Sequence, residues 1–404
     1  MSDPKGSHVI RSKLRRRAIG AALTLALGAA VPFSLPTAPA FAANQAADDV
    51  TDPVSYVDTT IGTANAGNTF PGAVRPFGML AWSPEGSNGN ATRTAAPGGY
   101  QYGMKKIRGF SLTHLSGTGC SGASGDIPFY PHAGTVETSP SADATDAVYA
   151  SAFSHADETA KPGYYQAKLA TGVNTELTST VRSGSGRFSY PEGSPATMLI
   201  RASDSEIGST AADVKVDPAT RTITGSVTSG NFCGAIGGPT NGGVNSRPYY
   251  TLYFTASFDK AFARTGSWVD GALTQDATAA SGGTTFGASG QRPAGKGSGA
   301  YVTFDTSAGR TVNARVGISY VSLANAQQNL QAENPAGTTF EQVRTAAEQS
   351  WARSLGRITI GGGTDDQRTT FYSALYHAQL HPNVYSDVNG EYRGFGDTVS
   401  NDRG

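Results

Sequence analysis

Between residues 56 and 321, short runs of β-branched and aromatic residues typical of strands recur along the chain. The clearest run is Tyr249–Phe258, where large residues take alternate positions, as a strand with one buried face requires. Other runs rich in β-branched and aromatic residues are separated by Gly, Pro, Asn and Ser, and they cover 188–190, 197–201, 222–228, 301–304 and 311–321. Because no helical pattern intervenes, the sequence predicts a mainly β fold with a two-sheet β-sandwich.

The pattern changes to a helical period after residue 336. Thr339 and Gln342 have the spacing of a capping box, and Gly356 ends the helix that they begin. The apolar residues along one face of this helix are Phe340, Val343, Ala347, Trp351 and Leu355. A second predicted helix starts at Thr364 and ends before Pro382. We interpret 336–382 as linker helices that follow the β domain.

The chain begins with a pattern typical of a signal peptide. Basic residues between positions 11 and 17 precede an apolar stretch at 18–31, and Ala40-Phe41-Ala42 fits a signal-peptidase site. The apolar stretch, about 14 residues, is shorter than the ~18 to 20 needed to span a bilayer. The sequence therefore predicts a secreted, extracellular protein with a signal peptide at 1–42, a linker at 43–55 and no membrane anchor after cleavage near Ala42.

The composition and charge balance of the chain indicate which classes of ligand to expect. Charged residues make up 15% of the chain, with 31 basic and 31 acidic side chains, and glycine accounts for 51 of 404 residues. This composition suits a secreted β protein with many turns, and the charge balance gives no electrostatic reason to expect nucleic acid. A neutral ligand such as a sugar fits better. The only cysteines, Cys120 and Cys233, exclude a disulfide framework and a four-cysteine zinc site, while their own pairing stays open.

The stretch from His114 to Asp126 holds the densest candidate chemistry. Four glycines alternate there with small hydroxyl residues, after an apolar run that has the character of a strand. Glycine at this density lets the backbone approach a ligand closely. The candidate substrate-binding residues, including two aromatic side chains upstream, are Trp82, Tyr100, His114, Ser116, Gly117, Thr118, Gly119 and Asp126.

Each of these candidates has a structural alternative. His114 with Ser116 or Cys120 would provide the base and nucleophile of a hydrolase, whereas a hydrogen-bonded structural histidine explains the same pattern. Trp82 and Tyr100 would stack on sugar rings, or they belong to the core of the sandwich. The residues alone leave both pairs of alternatives open.

Several short motifs together are far more specific. Between residues 61 and 126 they are Ile61-Gly62-Thr63, Gly67-Asn68-Thr69-Phe70-Pro71-Gly72-Ala73, Arg75-Pro76-Phe77-Gly78-Met79, Gly99-Tyr100-Gln101-Tyr102, Gly109-Phe110-Ser111-Leu112-Thr113-His114-Leu115-Ser116-Gly117-Thr118-Gly119-Cys120 and Gly125-Asp126. Further along they are Phe371-Tyr372-Ser373-Ala374-Leu375-Tyr376-His377, His381-Pro382 and Tyr392-Arg393-Gly394. Taken jointly, these motifs resemble the family 92 glycoside hydrolases, which are exo-acting α-mannosidases.

The resemblance implies both an architecture and an activity. It implies a β-sandwich at 56–335, the linker helices at 336–382, and at 383–404 the truncated start of an (α/α)6 barrel. It also implies calcium-dependent, inverting hydrolysis of α-mannosides in the cleft between sandwich and barrel. Both catalytic carboxylates, and most calcium ligands, would belong to the barrel beyond Gly404. We therefore expect this chain to supply the sandwich wall of the pocket and, alone, to be inactive.

The sequence departs from the family pattern at one place. Many members have a Trp and a Cys shortly before the Gly-Tyr-x-Tyr motif, whereas residues 90–98 read Asn-Ala-Thr-Arg-Thr-Ala-Ala-Pro-Gly. The preference for a particular mannosidic linkage is therefore not carried over. Two other classes of function stay open on the sequence, a non-catalytic mannose-binding β-sandwich module and a hydrolase with Ser116 or Cys120 as nucleophile.

Overall fold

Antiparallel strands are the main regular structure of the described chain. The computed structural model describes residues 48–65, 67–89, 98–117, 125–206, 208–230, 249–283, 295–394 and 398–403. The strands are β1 Ala73–Val74, β2 Ala81–Ser87, β3 Lys106–Ser111, β4 Phe129–Ala133, β5 Ser151–Lys161, β6 Tyr164–Leu169, β7 Asn174–Ser179, β8 Ser183–Ser189, β9 Ala196–Ile200, β10 Ala211–Asp217, β11 Thr222–Gly230, β12 Tyr249–Phe258, β13 Phe262–Val269, β14 Ala272–Gln275, β15 Ala279–Ser281, β16 Ser298–Phe304, β17 Thr311–Ser319, β18 Glu391–Arg393 and β19 Val399–Asn401.

Helices are few and come late in the chain. Within the described ranges, the α-helices are α1 Leu323–Glu333, α2 Phe340–Leu355 and α3 Asp365–His377, and short 3-10 turns cover Pro53–Tyr56 and Pro140–Ala142. None of the helices in these ranges combines the length and apolar character that crossing a membrane requires. The fold is therefore mainly β, as the sequence predicted.

Seventeen strands belong to one antiparallel network of hydrogen bonds, with β18 and β19 paired separately. The network consists of two runs of neighbouring strands. The first run is β1-β2-β3-β4-β9-β16-β13-β14 and the second is β5-β6-β7-β8-β17-β12-β11-β10-β15. A short pairing between β3 and β5, at Lys106 with Ala152, joins the two runs.

The main core lies where side chains of the two runs meet. The Trp82 ring of β2 contacts Phe188 of β8 with centroids 6.3 Å apart, and Phe129 of β4 contacts Phe254 of β12 at 6.1 Å. Because β2 and β4 belong to the first run and β8 and β12 to the second, these contacts hold the runs together. The apolar surface buried here is the main driving force for the fold.

The predicted helix at 340–355 is confirmed in detail, whereas α1 was not predicted. Thr339 and Gln342 form both bonds of a capping box at the start of α2, and every apolar residue predicted along its face is buried. Helix α1 starts after Ser322, inside the range that the sequence assigned to the sandwich. It buries Asn325 and Asn329 as well as apolar residues, so its pattern of hydrophobic positions is weak.

A second apolar cluster forms where α2 and α3 meet β1 and β2. Trp351 of α2 donates from Nε1 to the Val74 carbonyl at 2.7 Å, and its ring lies 4.4 Å from the ring of Tyr376 of α3. The buried members of this second apolar cluster are Phe70, Val74, Ala81, Trp351, Leu355, Tyr372, Tyr376 and Leu380. The helices therefore share a core with the amino-terminal strands.

Asp387 organises a buried polar junction after α3. It is 2% exposed, and it accepts hydrogen bonds from the side chains of Ser319 at 2.7 Å, Asn325 at 2.8 Å and Asn329 at 2.6 Å. These three donors come from the end of β17 and from α1. The junction therefore ties the segment after α3 to the sheet network.

Candidate functional site

Strand β2 places Glu85 beside the candidate residues. Trp82 points into the main core while Ala81 belongs to the second apolar cluster, so the alternating side chains of β2 contact different surroundings. Glu85 pairs with Gly109 of β3, and the register of the two strands shifts between Glu85 and Gly86. Such an irregularity in a β ladder redirects the strand locally, often next to a functional site.

His114 is completely buried against this strand. Its side chain has 0% exposure, and its Nδ1 donates to the Ala81 carbonyl at 2.8 Å. The other ring nitrogen, Nε2, lies 3.0 Å from Ser111 Oγ and 2.9 Å from Glu85 Oε1. Both ring nitrogens thus have partners within the chain. A role of His114 in substrate binding stays a prediction, and these contacts favour an indirect role through Glu85.

The proton positions follow from the partners of this cluster. A carbonyl oxygen only accepts, so the bond to Ala81 assigns a proton to His114 Nδ1. The Ser111 hydroxyl donates to Glu85 Oε1, which therefore has two neighbours, the hydroxyl and the imidazole. Oxygen Oε1 of Glu85 is consequently fixed from two sides.

Glycines allow the backbone to approach the Glu85 carboxylate. A Cβ atom on Gly99 would lie 2.6 Å from Oε1, and one on Gly125 would lie 3.3 Å from Oε1 and 2.9 Å from the Glu206 nitrogen. Both glycines also have positive φ values, +74° and +69°, which other residues rarely adopt. Glycine is therefore needed at both positions because the backbone lies close to Glu85, a contact that the sequence did not reveal.

Asp126 forms a second buried carboxylate centre. It has 0% exposure; Thr113 Oγ1 donates to its Oδ2 at 2.6 Å, and the Tyr250 hydroxyl lies 3.1 Å from both carboxylate oxygens. Burial raises the pKa of Asp126 to about 7, and the charge of Glu85 adds to the rise. The hydrogen bonds from Thr113 and Tyr250 oppose this rise without cancelling it. In the folded protein, Asp126 therefore keeps its proton to a higher pH than an ordinary aspartate does, up to about 7.

The pH dependence of stability tests this assignment. Asp126 favours folding most below its ordinary pKa of 3.8, and this contribution is lost as the pH rises to about 7. From this group alone, the free energy of unfolding should fall by up to about 1.4 kcal/mol per pH unit in that window. Asp126→Asn lacks the ionisation, so urea denaturation should show its stability rising relative to wild type as the pH increases.

An exposed carboxylate provides the control for this experiment. Hydrogen bonding to Thr220 lowers the pKa of Asp217 below its ordinary value, so that group is ionised across the upper part of the window. The stability difference between Asp217→Asn and wild type should stay nearly constant between about pH 5 and about pH 8. If the free energies of unfolding of Asp126→Asn and wild type change in parallel with pH, the raised pKa of Asp126 is wrong.

The start of the glycine-rich loop contacts the segment after α3. The backbone N–H of Ser116 donates to His381 Nε2 at 2.8 Å, and the N–H of Gly117 donates to the Asn68 carbonyl at 2.9 Å. Burial lowers the pKa of His381, which favours the neutral ring that this acceptor role requires. The predicted site residues Ser116 and Gly117 thus lie, half-buried, between two distant parts of the chain.

The two aromatic candidates are buried. Trp82 is 0% exposed and donates from Nε1 to the Phe110 carbonyl at 3.0 Å. Tyr100 is 1% exposed, and its hydroxyl donates to Glu158 at 3.0 Å; burial raises the pKa of Tyr100 above its ordinary value. Their positions favour the alternative that they belong to the core. Stacking of a sugar on either ring stays a prediction.

The remaining candidates lie outside the described residues. These are Thr118, Gly119 and Cys120, and also Cys233, so the pairing of the two cysteines is untested. Of the other predicted residues, His114 lies 2.9 Å from the Glu85 carboxylate, and the backbone next to Asp126, at Gly125, approaches the same carboxylate. The predicted site residues did not include Glu85, Ser111, Tyr250 or His381, although Ser111 and His381 belong to the motifs quoted above. The one available signal was a charged residue, Glu85, within a predominantly apolar and small-residue strand.

A calcium site is not found in this part of the chain. Among the residues that the structure describes, no group of three or more His, Cys, Asp or Glu side chains is arranged to hold a metal ion. Calcium takes about six to eight oxygen ligands, with carboxylates prominent among them. Within the described residues, carboxylate side chains are therefore not clustered as calcium ligands would be.

Comparison with protein families identifies the chain. Residues 56–319 match the glycosyl hydrolase family 92 N-terminal domain, and residues 325–404 match the glycosyl hydrolase family 92 catalytic domain. The chain belongs to glycosyl hydrolase family 92. The resemblance seen in the sequence motifs is thus confirmed.

Individual relatives agree with this assignment. The chain is 29% identical over 359 residues to an uncharacterized secreted glycosidase of Arthroderma benhamiae, covering 84% of this chain and 43% of the relative. It superimposes on the family GH92 α-mannosidase BT3965 from Bacteroides thetaiotaomicron, in complex with mannoimidazole, with a TM-score of 0.71 and 31% identity, covering 87% and 43% of the two chains. The inverting mannosidase BT2199 of the same organism gives a TM-score of 0.70, 25% identity, and coverage of 87% and 43%. The chain therefore spans less than half the length of these relatives.

Proposed function

We propose that this chain is the amino-terminal part of a secreted, calcium-dependent, inverting exo-α-mannosidase that releases mannose from α-mannoside glycans. The observation that carries the proposal is the family match across both 56–319 and 325–404. The α-mannosidase bound to mannoimidazole and the inverting mannosidase support the substrate class and the stereochemistry. The secreted relative supports export, for which the signal-peptide pattern at 1–42 is the sequence argument.

In the proposed architecture, the two runs of strands are the two sheets of a β-sandwich at 56–335. The contacts between their side chains in the main core support this assignment. Linker helices at 336–382 would then lead into the start of an (α/α)6 barrel at 383–404. In this arrangement the surface around Glu85, His114 and Asp126 forms the sandwich wall of the pocket.

The proposed mechanism divides the chemistry between the two domains. An inverting glycosidase needs a general acid for the leaving oxygen and a general base for water, about 6.5 to 9.5 Å apart. In the proposal these two carboxylates, and the ligands of a calcium ion that would bind mannose hydroxyls, belong to the rest of the catalytic domain. The residues of this chain bind and orient the sugar.

We expect the full-length protein to release mannose from α-linked mannobioses, and the 404-residue chain alone to release none. Proton NMR at early times should show β-mannose as the first product, because inversion of an α-linkage gives the β-anomer. A calcium chelator should abolish the activity, and added calcium should restore it. A folded full-length protein that releases no mannose, or that releases the α-anomer first, would contradict the proposal.

A further inference from the structure

Glu85 is a nearly buried carboxylate of which the described residues use one oxygen. Its side chain is 8% exposed, and Oε1 has the Ser111 hydroxyl and His114 Nε2 as partners. Among the residues that the structure describes, none donates a hydrogen bond to the second oxygen, Oε2. Oε2 does not belong to the fully buried side-chain atoms that lack a partner, so a donor from solvent or from a ligand can reach it.

Glycine at position 99 keeps one side chain away from this carboxylate. A Cβ atom on Gly99 would lie only 2.9 Å from Oε2, and the positive φ of Gly99 independently disfavours any other residue. Gly125 approaches the same carboxylate from another direction. Backbone atoms rather than side chains therefore border Glu85 at both positions.

Contacts within the chain also fix the orientation of the Glu85 carboxylate. Glu85 lies on a paired strand, and His114 is anchored by its bond to the Ala81 carbonyl. His114 and Ser111 both contact Oε1, so the position of Oε2 is set by the fold rather than by free rotation. Such preorganisation lowers the cost of binding a ligand group.

The chemistry of the carboxylate selects the type of ligand group. An ionised carboxylate only accepts hydrogen bonds, so the ligand must present an O–H or N–H donor. A metal ion fits less well, because the described residues provide no group of three ligating side chains. In a glycoside hydrolase, the abundant donors of the substrate are sugar hydroxyl groups.

We propose that Glu85 accepts a hydrogen bond from one hydroxyl group of the α-mannoside through Oε2, and that His114 and Ser111 are positioning residues that hold its Oε1. This inference rests on the function proposed above and makes Glu85 a determinant of specificity at that hydroxyl. His114 then influences activity without touching the sugar, which accounts for its complete burial.

The test compares wild-type and Glu85→Gln full-length protein on deoxy-mannosides that each lack one hydroxyl of the terminal mannose or of the leaving sugar. On the parent substrate, Glu85→Gln should lower kcat/KM by about 10-fold or more, since a charge-assisted hydrogen bond is lost. On one analogue, the two proteins should agree within about twofold, because that analogue lacks the bonded hydroxyl. The position of that hydroxyl identifies which sugar Glu85 contacts.

A matched variant controls for the loss of a carboxylate elsewhere. Glu176 on β7 pairs with Arg187 at 2.6 Å and accepts a hydrogen bond from Tyr164. Neither partner is a candidate site residue, so Glu176→Gln should preserve the relative kcat/KM of every analogue. If Glu85→Gln lowers kcat/KM equally for all analogues, its role is structural and the proposal is overturned. An unchanged kcat/KM on the parent substrate overturns it as well.

A milder variant keeps the test decisive if Glu85→Gln does not fold. Ser111→Ala removes one partner of Oε1 and leaves the carboxylate, so it should lower kcat/KM less, with the smallest loss on the same single analogue. An equal loss on all analogues would again overturn the proposal. If the wild-type protein hydrolyses a different glycoside, the proposed substrate class is wrong, and deoxy analogues of that glycoside then test the role of Glu85. If the wild-type protein hydrolyses no glycoside, both the proposed function and the proposed role of Glu85 are wrong.

Discussion

Trp82→Ala is expected to lower the free energy of unfolding by about 3 to 5 kcal/mol, because a fully buried indole would be replaced by a cavity. The ring contacts Phe129 and Phe188, and it fits beside Gly184 and Gly186 of β8, where a Cβ would lie 3.0 and 2.9 Å from the indole. A change in Trp82 therefore disturbs both runs of strands. Urea denaturation of the purified variant and wild type measures the effect.

Trp82→Phe serves as the control for this prediction. It keeps an aromatic ring in the core but removes the Nε1–H that donates to the Phe110 carbonyl. The loss should be clearly smaller than for alanine, on the order of 1 to 3 kcal/mol for the unpaired acceptor and the reduced volume. Unchanged stability of Trp82→Ala together with weaker mannose binding would instead support sugar stacking on this residue.

Asp387→Ala is expected to destabilise the protein by about 3 kcal/mol or more, because three buried donors lose a charged acceptor. The donors are the side chains of Ser319, Asn325 and Asn329. Their loss would loosen α1 and the segment after α3 from the end of β17. Thermal or urea denaturation measures the global effect, and hydrogen exchange in α1 locates it.

Asp387→Asn serves as the control, because it removes the negative charge while nearly keeping the shape of the side chain. Asp387→Asn keeps one carbonyl acceptor but turns an NH2 group toward at least one of the existing donors. Its stability should fall between those of wild type and Asp387→Ala. If both variants unfold at the wild-type urea concentration, the junction does not contribute to stability.

Elements with a strong periodic pattern were predictable from the sequence. Helix α2 has a complete apolar face and a capping box, and β12 has the same limits in the structure as in the sequence pattern. Local signals are sufficient there because one face of each element is buried. Helix α1 was missed because Asn325 and Asn329 occupy buried positions, where their amides bond to Asp387 rather than to water.

The candidate site was predictable only in part. The sequence indicated the motif containing His114 and the Gly125-Asp126 pair, and the structure brings both close to Glu85. Single-sequence patterns do not encode which side of a strand faces a distant loop. Glu85 therefore had no periodic or motif signal, and the burial of His114 depended on contacts with a strand some thirty positions earlier, as the Ala81 bond shows.

The second apolar cluster packs residues around β1 against the later helices α2 and α3, so the burial of the former requires the latter. The bond from Trp351 to Val74 joins residues 277 positions apart, and the bond from Ser116 to His381 joins residues 265 positions apart. Closing such long loops is entropically costly and slow. During synthesis, Phe70 and Val74 therefore lack their apolar partners until α2 and α3 have emerged. A nascent chain stopped near Ser319 would expose these apolar side chains, which makes it prone to aggregation until α2 and α3 cover them.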